Sequence, residues 1–91
     1  MELTDLRIFL AAARCRSFSR AGRELYVSHS TVSRTVSALE KELGVCLMER
    51  NNRVLGLTPA GETLARECEH ILSLTDSLPE KLKKCAAPRR I

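Results

Sequence analysis

The stretch from Ala21 to Leu43, AGRELYVSHSTVSRTVSALEKEL, decides how this chain folds. Within it Val32, Val36, Leu39 and Leu43 recur in steps of four, three and four, the spacing of one helix face. Around that stripe lie Ser30, Ser33, Arg34, Ser37 and Lys41, and no acid occurs from Leu25 to Leu39. A helix with one apolar face and one hydroxyl-rich, acid-free face suits an anionic partner. Ser, Thr and Arg are also donors that can enter a nucleic-acid groove and meet base edges. Just upstream, Ala21, Leu25 and Val27 fit a short helix and a tight turn, and Ser28 is a good N-cap for the helix that follows. Short helix, turn and longer helix make a helix-turn-helix, in which the small Ala21 lets the helices approach and Val27 fills the corner. Taken alone, the same pattern also fits a helical hairpin with a solvated polar face.

Outward from this centre, Thr4 can cap a first helix with Asp5 in its opening turn. Leu6, Phe9, Leu10 and Ala13 would be its buried face, and it should stop near Cys15. Ser17, Phe18 and Ser19 open the second helix, with Phe18 expected as a core plug. Ser19 and Arg20 sit at its start, where free backbone N–H groups favour phosphate. Gly22 costs up to about 1 kcal/mol inside a helix relative to Ala, so either a backbone approaches closely there or the loss is tolerated. The third helix runs from His29 to Leu43, with Gly44 as its C-cap. Groove-reading helices lead with their N-terminal residues, which puts His29, Ser30, Thr31, Ser33 and Arg34 forward as base contacts. Ser37 joins Ser19 and Arg20 as a backbone contact.

After Gly44, the runs Val45–Met48 and Val54–Leu57 flank a polar, Asn-rich turn and read as a β-hairpin. Its tip would carry Arg50, Asn52 and Arg53, the basic wing of a winged helix, although polar turns are common in any case. Thr58 then caps a last helix with Pro59 at its first position. Leu64, Cys68, Ile71, Thr75, Leu78 and Leu82 follow in steps of four and three, a heptad seam. Up to Leu78 that helix spans about 20 residues, roughly 30 Å, more than a small three-helix core can cover. Its exposed part needs a partner, most simply the same helix of a second copy through Leu64, Cys68, Ile71, Thr75 and Leu78. Pro79 is expected to end or kink the helix. The chain divides into 1–57 as a winged helix-turn-helix, 58–85 as a linker and dimerisation helix, and 86–91 as a flexible tail.

Composition narrows the function. The 91 residues carry a net charge of +4, which fits nucleic acid or an anionic surface but decides little without the clustering above. Aromatic residues are only Phe9, Phe18 and Tyr26, too few for single-strand binding by base stacking. Cys15, Cys46, Cys68 and Cys85 form no C-x-x-C pair and read as reduced thiols. Cys68 and His70 lie two apart on a helix and face different ways, so no metal or other cofactor is expected. The run IFLAAA is too short for a signal peptide, with Glu2 and Asp5 where one needs positive charge, and no apolar run is long enough to span a membrane, so a cytoplasmic protein is expected. No nucleophile–base arrangement stands out, so no enzyme is expected, and catalytic residues are none.

The order of a helix, SFSRAGRELYVSHSTVSRTVSALEKELGVCLMER, a basic turn and LTPAGETL opening a long helix resembles the N-terminal DNA-binding domain of LysR-type transcriptional regulators. The resemblance covers about residues 1 to 80 and rests on Ala21–Ser28, Ser33-Arg34, Leu39-Glu40, Leu43-Gly44-Val45, Leu47, Glu49-Arg50 and Leu57–Gly61. It implies a mostly α winged helix-turn-helix with a small β-hairpin, dimerising through its long linker helix. It further implies Ser33 and Arg34 in the major groove and Arg53 on the wing, with double-stranded DNA as partner. Position 29 is commonly Gln in that family and position 30 often Pro; here they are His29 and Ser30, so the fold carries over but the family's base preference does not follow. Gly22 replaces a usual Ala and Met48 a usual Phe, which should soften packing slightly. Members also carry a C-terminal effector-binding domain, absent from this chain. The expected function is sequence-specific DNA binding as a dimer on an interrupted inverted repeat. The rival expectation is a winged-helix interaction or dimerisation module without specific DNA binding, and a further one is an architectural, non-specific binder.

Overall fold

The computed structural model describes residues 1–50 and 55–86. In it α1 (Leu3–Cys15), α2 (Phe18–Leu25) and α3 (His29–Leu43) enclose the core. A two-stranded antiparallel hairpin and α4 (Pro59–Cys85) follow. This is the mostly helical winged architecture expected from the sequence.

Helix α1 is the hub. It touches α2, α3 and α4, and Leu6, Ile8, Phe9, Leu10, Ala11, Ala12 and Ala13 are all buried. So wide an apolar face suits a helix packed against three neighbours, and Arg7 and Arg14 mark the side left to water. Its cap lies two residues before the expected Thr4: Glu2 is the N-cap, and the Asp5 carboxylate accepts the Glu2 backbone N–H at 3.0 Å. An acid at the third helical position can satisfy that orphan donor, which relieves Thr4 of the task.

Caps set the other boundaries where the sequence placed them. Ser17 Oγ accepts the Arg20 N–H at 3.2 Å, and Ser28 Oγ accepts the Thr31 N–H at 3.1 Å. Gly44 ends α3 with φ +73°, a left-handed conformation that glycine adopts cheaply. Val32, Val36 and Leu39 are sealed in the core, but Leu43 is 39% exposed, so the apolar stripe ends one turn early. The residue that lets the turn close is Gly22, with Ala21 facing the core. A Cβ on Gly22 would stand 2.6 Å from the Val27 carbonyl oxygen, and the Val27 N–H already bonds the Gly22 carbonyl at 2.9 Å. The glycine therefore serves a close backbone approach. Phe18 is half-buried at the rim of the core, not a central plug.

The hairpin is shorter than the sequence runs indicated. Strand β1 is Met48–Glu49 and β2 is Gly56–Leu57, paired Met48 with Leu57 and Glu49 with Gly56. Val45 and Cys46 lie outside it and are exposed, while Leu47 is buried. Thr58 locks the next element in place: its Oγ1 accepts the Gly61 N–H at 3.0 Å and donates to the Cys46 carbonyl at 2.6 Å.

Helix α4 differs from expectation twice. It continues through Pro79 to Cys85. The proline removes the backbone hydrogen bond that the Thr75 carbonyl would accept, but every residue from Leu78 to Ala86 is exposed, so no core packing depends on the turns beyond it. The seam is also divided. Cys68 and Leu72 are buried against this chain's own core, with Leu64 and Ile71 half-buried beside them. Cys68 therefore cannot lie in a surface seam. Its enclosure pushes the thiol up to about 11, so it stays a neutral, apolar filler. Only the distal half of α4 stands free, with Leu74, Leu78 and Leu82 exposed by 46, 49 and 61%. Exposed ion pairs at Arg7–Asp76 (2.7 Å) and Arg14–Glu69 (3.5 Å) flank the α1–α4 contact. Solvent screening keeps such pairs weak.

Candidate nucleic-acid interface

Burying Val32, Val36 and Leu39 fixes the rotation of α3 and turns its other side outward. His29, Ser30, Arg34 and Ser37 are exposed, and Thr31 and Ser33 are half-buried at the margin. The Thr31 hydroxyl is 2.9 Å from Ser28 Oγ, and Thr35 Oγ1 donates to the Thr31 carbonyl at 2.8 Å, so both hydroxyls serve the helix itself. Arg34 has no acid within ion-pair distance among the described residues. An unpaired guanidinium at the centre of an acid-free surface leaves all its donors available. Ser19 and Arg20 are likewise exposed, one helical turn in from the Ser17 cap.

The wing residues are distributed differently from the sequence reading. Asn52 and Arg53 lie outside the described residues. Arg50 turns back from the hairpin onto α3: its Nη2 is 3.0 Å from Glu40 Oε1 and donates to Ser37 Oγ at 3.2 Å. Its guanidinium carbon also lies 5.6 Å above the Phe18 ring. Arg50 thus belongs to the root of the wing. Ser37, expected to hold a phosphate, already accepts a hydrogen bond from it.

Glu40 is the organising residue that sequence reasoning passed over as the end of an acid-free surface. Its Oε2 accepts the backbone N–H groups of Leu47 and Met48 at 2.8 and 3.2 Å, and its Oε1 pairs with Arg50. One carboxylate thereby fixes the angle between α3 and the hairpin. The available signal was a need: the chain entering a two-residue strand has amide donors that require a partner. Replacing Glu40 with Ala would leave two amides without acceptors and Arg50 without its counter-charge. We expect destabilisation of about 2–3 kcal/mol, read as a lowered denaturant midpoint, with Glu40→Gln retaining part of the loss.

Tyr26 is a second residue the sequence reading left without a role. It caps α2 with φ +59° and is 95% exposed, immediately before the turn into α3. A bulky residue at positive φ is uncommon.

The chain matches the family model described as bacterial regulatory helix-turn-helix protein, lysR family, over residues 3–62. It is 41% identical over 86 residues to the HTH-type transcriptional regulator BudR of Raoultella terrigena, covering 94% of this chain and 30% of that protein. To the regulator IlvY of Escherichia coli K12 it is 48% identical over 64 residues, covering 70% of this chain and 22% of that protein. The fold superimposes on the BenM DNA-binding domain solved with benA site 1 DNA, with a TM-score of 0.90 and 34% identity over 98% of this chain and all of that one. The CbnR DNA-binding domain solved with DNA gives a TM-score of 0.89 and 33% identity, over 96% of this chain and 100% of that one. The chain thus spans less than a third of the two curated relatives.

Proposed function

This chain belongs to the LysR family of bacterial regulatory helix-turn-helix proteins, and from that premise we propose that it binds double-stranded DNA sequence-specifically as the reading head of a transcription regulator. The relatives are regulators, and the chain is not an enzyme. The observation that carries the proposal is the outward face of α3 from His29 to Ser37, exposed, free of acids and centred on Arg34, which has no ion-pair partner among the described residues. His29, Ser30, Thr31, Ser33 and Arg34 meet base edges in the major groove. Ser19 and Arg20 hold phosphates, and Arg53 extends the contact from the wing. The BenM and CbnR domains, solved with DNA, support this reading by their likeness of fold.

Two copies pair through the free half of α4, along Leu74, Leu78 and Leu82, with Ile71 and Thr75 at its inner edge. Two reading heads then address an interrupted inverted repeat whose half-sites lie about 34 Å apart or a multiple of it. No described helix is long and apolar enough to cross a membrane, and the protein works in the cytoplasm. An effector-binding domain, as the family implies, supplies the signal in the whole regulator.

Selection from a randomised duplex library at near-physiological salt tests the reading, and enrichment of an inverted repeat is expected. Within that site Arg34→Ala should cost about 1–3 kcal/mol and relax preference at one position of each half-site. Equal weakening on all sequences would make Arg34 a phosphate anchor. Binding without preference but with steep salt dependence would leave an architectural binder. Feeble, salt-independent binding would leave a protein-interaction module.

A further inference from the structure

His29 opens α3, and its imidazole does not hang free. Its ring lies edge-on to Phe18, with centroids 5.8 Å apart and planes at 70°. Phe18 opens α2, and its ring is covered by the Arg50 guanidinium at 5.6 Å. Arg50 is fixed in turn by Glu40 at 3.0 Å and Ser37 at 3.2 Å. A chain of contacts thus runs from the middle of α3, through the root of the hairpin and the start of α2, back to the leading residue of α3. Each contact has a physical basis: a charge-assisted pair, a cation over an aromatic face, and a T-shaped ring pair.

We propose that Phe18 and Arg50 are positioning residues that hold the His29 ring for base reading, and that the base it reads is a guanine. The proposal rests on the DNA-binding reading above. A free imidazole on the first turn of a helix samples several rotamers, and ordering it on binding carries an entropic cost. A ring already packed against Phe18 has given up much of that freedom before DNA arrives. The base follows from donor arithmetic. A neutral imidazole carries one donor and one acceptor, but its two ring nitrogens point apart, so it cannot present both to adenine as an amide side chain does. Guanine presents two adjacent acceptors, N7 and O6, in the major groove, so one donor finds a partner over a wider range of positions. The sequence reading treated His29 and Arg50 as separate contacts; the geometry makes Arg50 act through Phe18 upon His29.

The test uses the whole chain and the selected duplex, with each base pair of one half-site changed in turn. His29→Ala should flatten preference at a single position occupied by guanine, by about tenfold. Phe18→Leu and Arg50→Ala should each lower preference at that same position by about three- to tenfold. Preference at the position lost in Arg34→Ala should stay intact, and Phe18→Tyr, which keeps the ring, should behave as the parent. Without DNA, the ring protons of His29 should lose the ring-current shift of Phe18 in Phe18→Leu and a smaller part of it in Arg50→Ala, by proton NMR. That readout also shows whether each variant is folded. Equal losses at every position, an unchanged preference in folded Phe18→Leu, or adenine at the His29 position would overturn the proposal. Failure of the parent chain to prefer any duplex would instead overturn the DNA-binding reading, while the NMR comparison still tests the contact itself.

Discussion

On the proposed pairing of two copies through α4, Leu78→Glu should yield a monomer and cost about two to four orders of magnitude in affinity for a duplex with two half-sites. Helix α4 has 27 residues, which at about 1.5 Å each makes it roughly 40 Å long. Asp76 makes an exposed ion pair with Arg7, and the first half of the helix packs into its own domain, at Leu64, Cys68, Ile71 and Leu72. Beyond that point Leu74, Leu78 and Leu82 recur every fourth residue and remain exposed. A carboxylate in the middle of that stripe would face its symmetry mate in an isologous pair, adding like-charge repulsion to lost apolar burial. Since Leu78 is exposed and lies outside the buried core, the variant should keep the parent's melting temperature at low protein concentration. It should also keep its affinity for a single half-site. Sedimentation equilibrium and titration of duplexes with one or two half-sites separate these effects. A dimer surviving in the Leu74→Glu, Leu78→Glu double variant would remove α4 from the interface. Ile71→Glu, the substitution the heptad first suggests, is a poorer probe, because Ile71 packs against the core and the charge would damage the fold as well.

That contrast shows what the sequence could disclose. Features set within one turn of chain were legible. Ser28 and Thr58 cap their helices and Gly44 ends one, because each acts on amides and carbonyls a few residues away. The apolar period of α3 was legible for the same reason, and it placed Arg34 outward. What remained hidden depends on partners distant in the chain. A heptad states that a helix has an apolar face, not which surface covers it, so Cys68 and Leu78 looked alike although one is buried and the other free. Arg50 looked like a wing charge because its partners, Glu40 and Phe18, meet it only in three dimensions. Pro79 looked like a stop because the rule assumes an interior helix, whereas here every residue beyond it to Ala86 is exposed and bears no core packing.

Gly61→Ala should destabilise the domain by at least about 3 kcal/mol, a large part of the roughly 5–15 kcal/mol that holds such a domain folded. Helix propensity alone argues the opposite sign, since Ala is favoured over Gly by about 1 kcal/mol in a helix interior. Contact geometry decides. A Cβ on Gly61 would fall deep inside the van der Waals radius of the Leu47 carbonyl oxygen, with the Leu57 side chain at 3.2 Å on its other side. Leu47 cannot withdraw. Its carbonyl accepts the Thr58 N–H at 3.0 Å, its N–H is held by Glu40 at 2.8 Å, and its side chain is 1% exposed. The added methyl must therefore push α4 away from the hairpin or tear the hairpin from α3. Two other glycines calibrate the result. Gly22→Ala meets a backbone oxygen at 2.6 Å in a turn and should cost less, while Gly44→Ala meets open space and bears only the cost of a left-handed backbone, about 1 kcal/mol. Denaturant titration of the three variants should rank them Gly61, Gly22, Gly44 in decreasing damage. If Gly61→Ala were neutral, the start of α4 would be loosely seated on Leu47. The free half of α4 could then not hold two reading heads at a fixed spacing, which links this stability measurement to the proposed pairing on two half-sites.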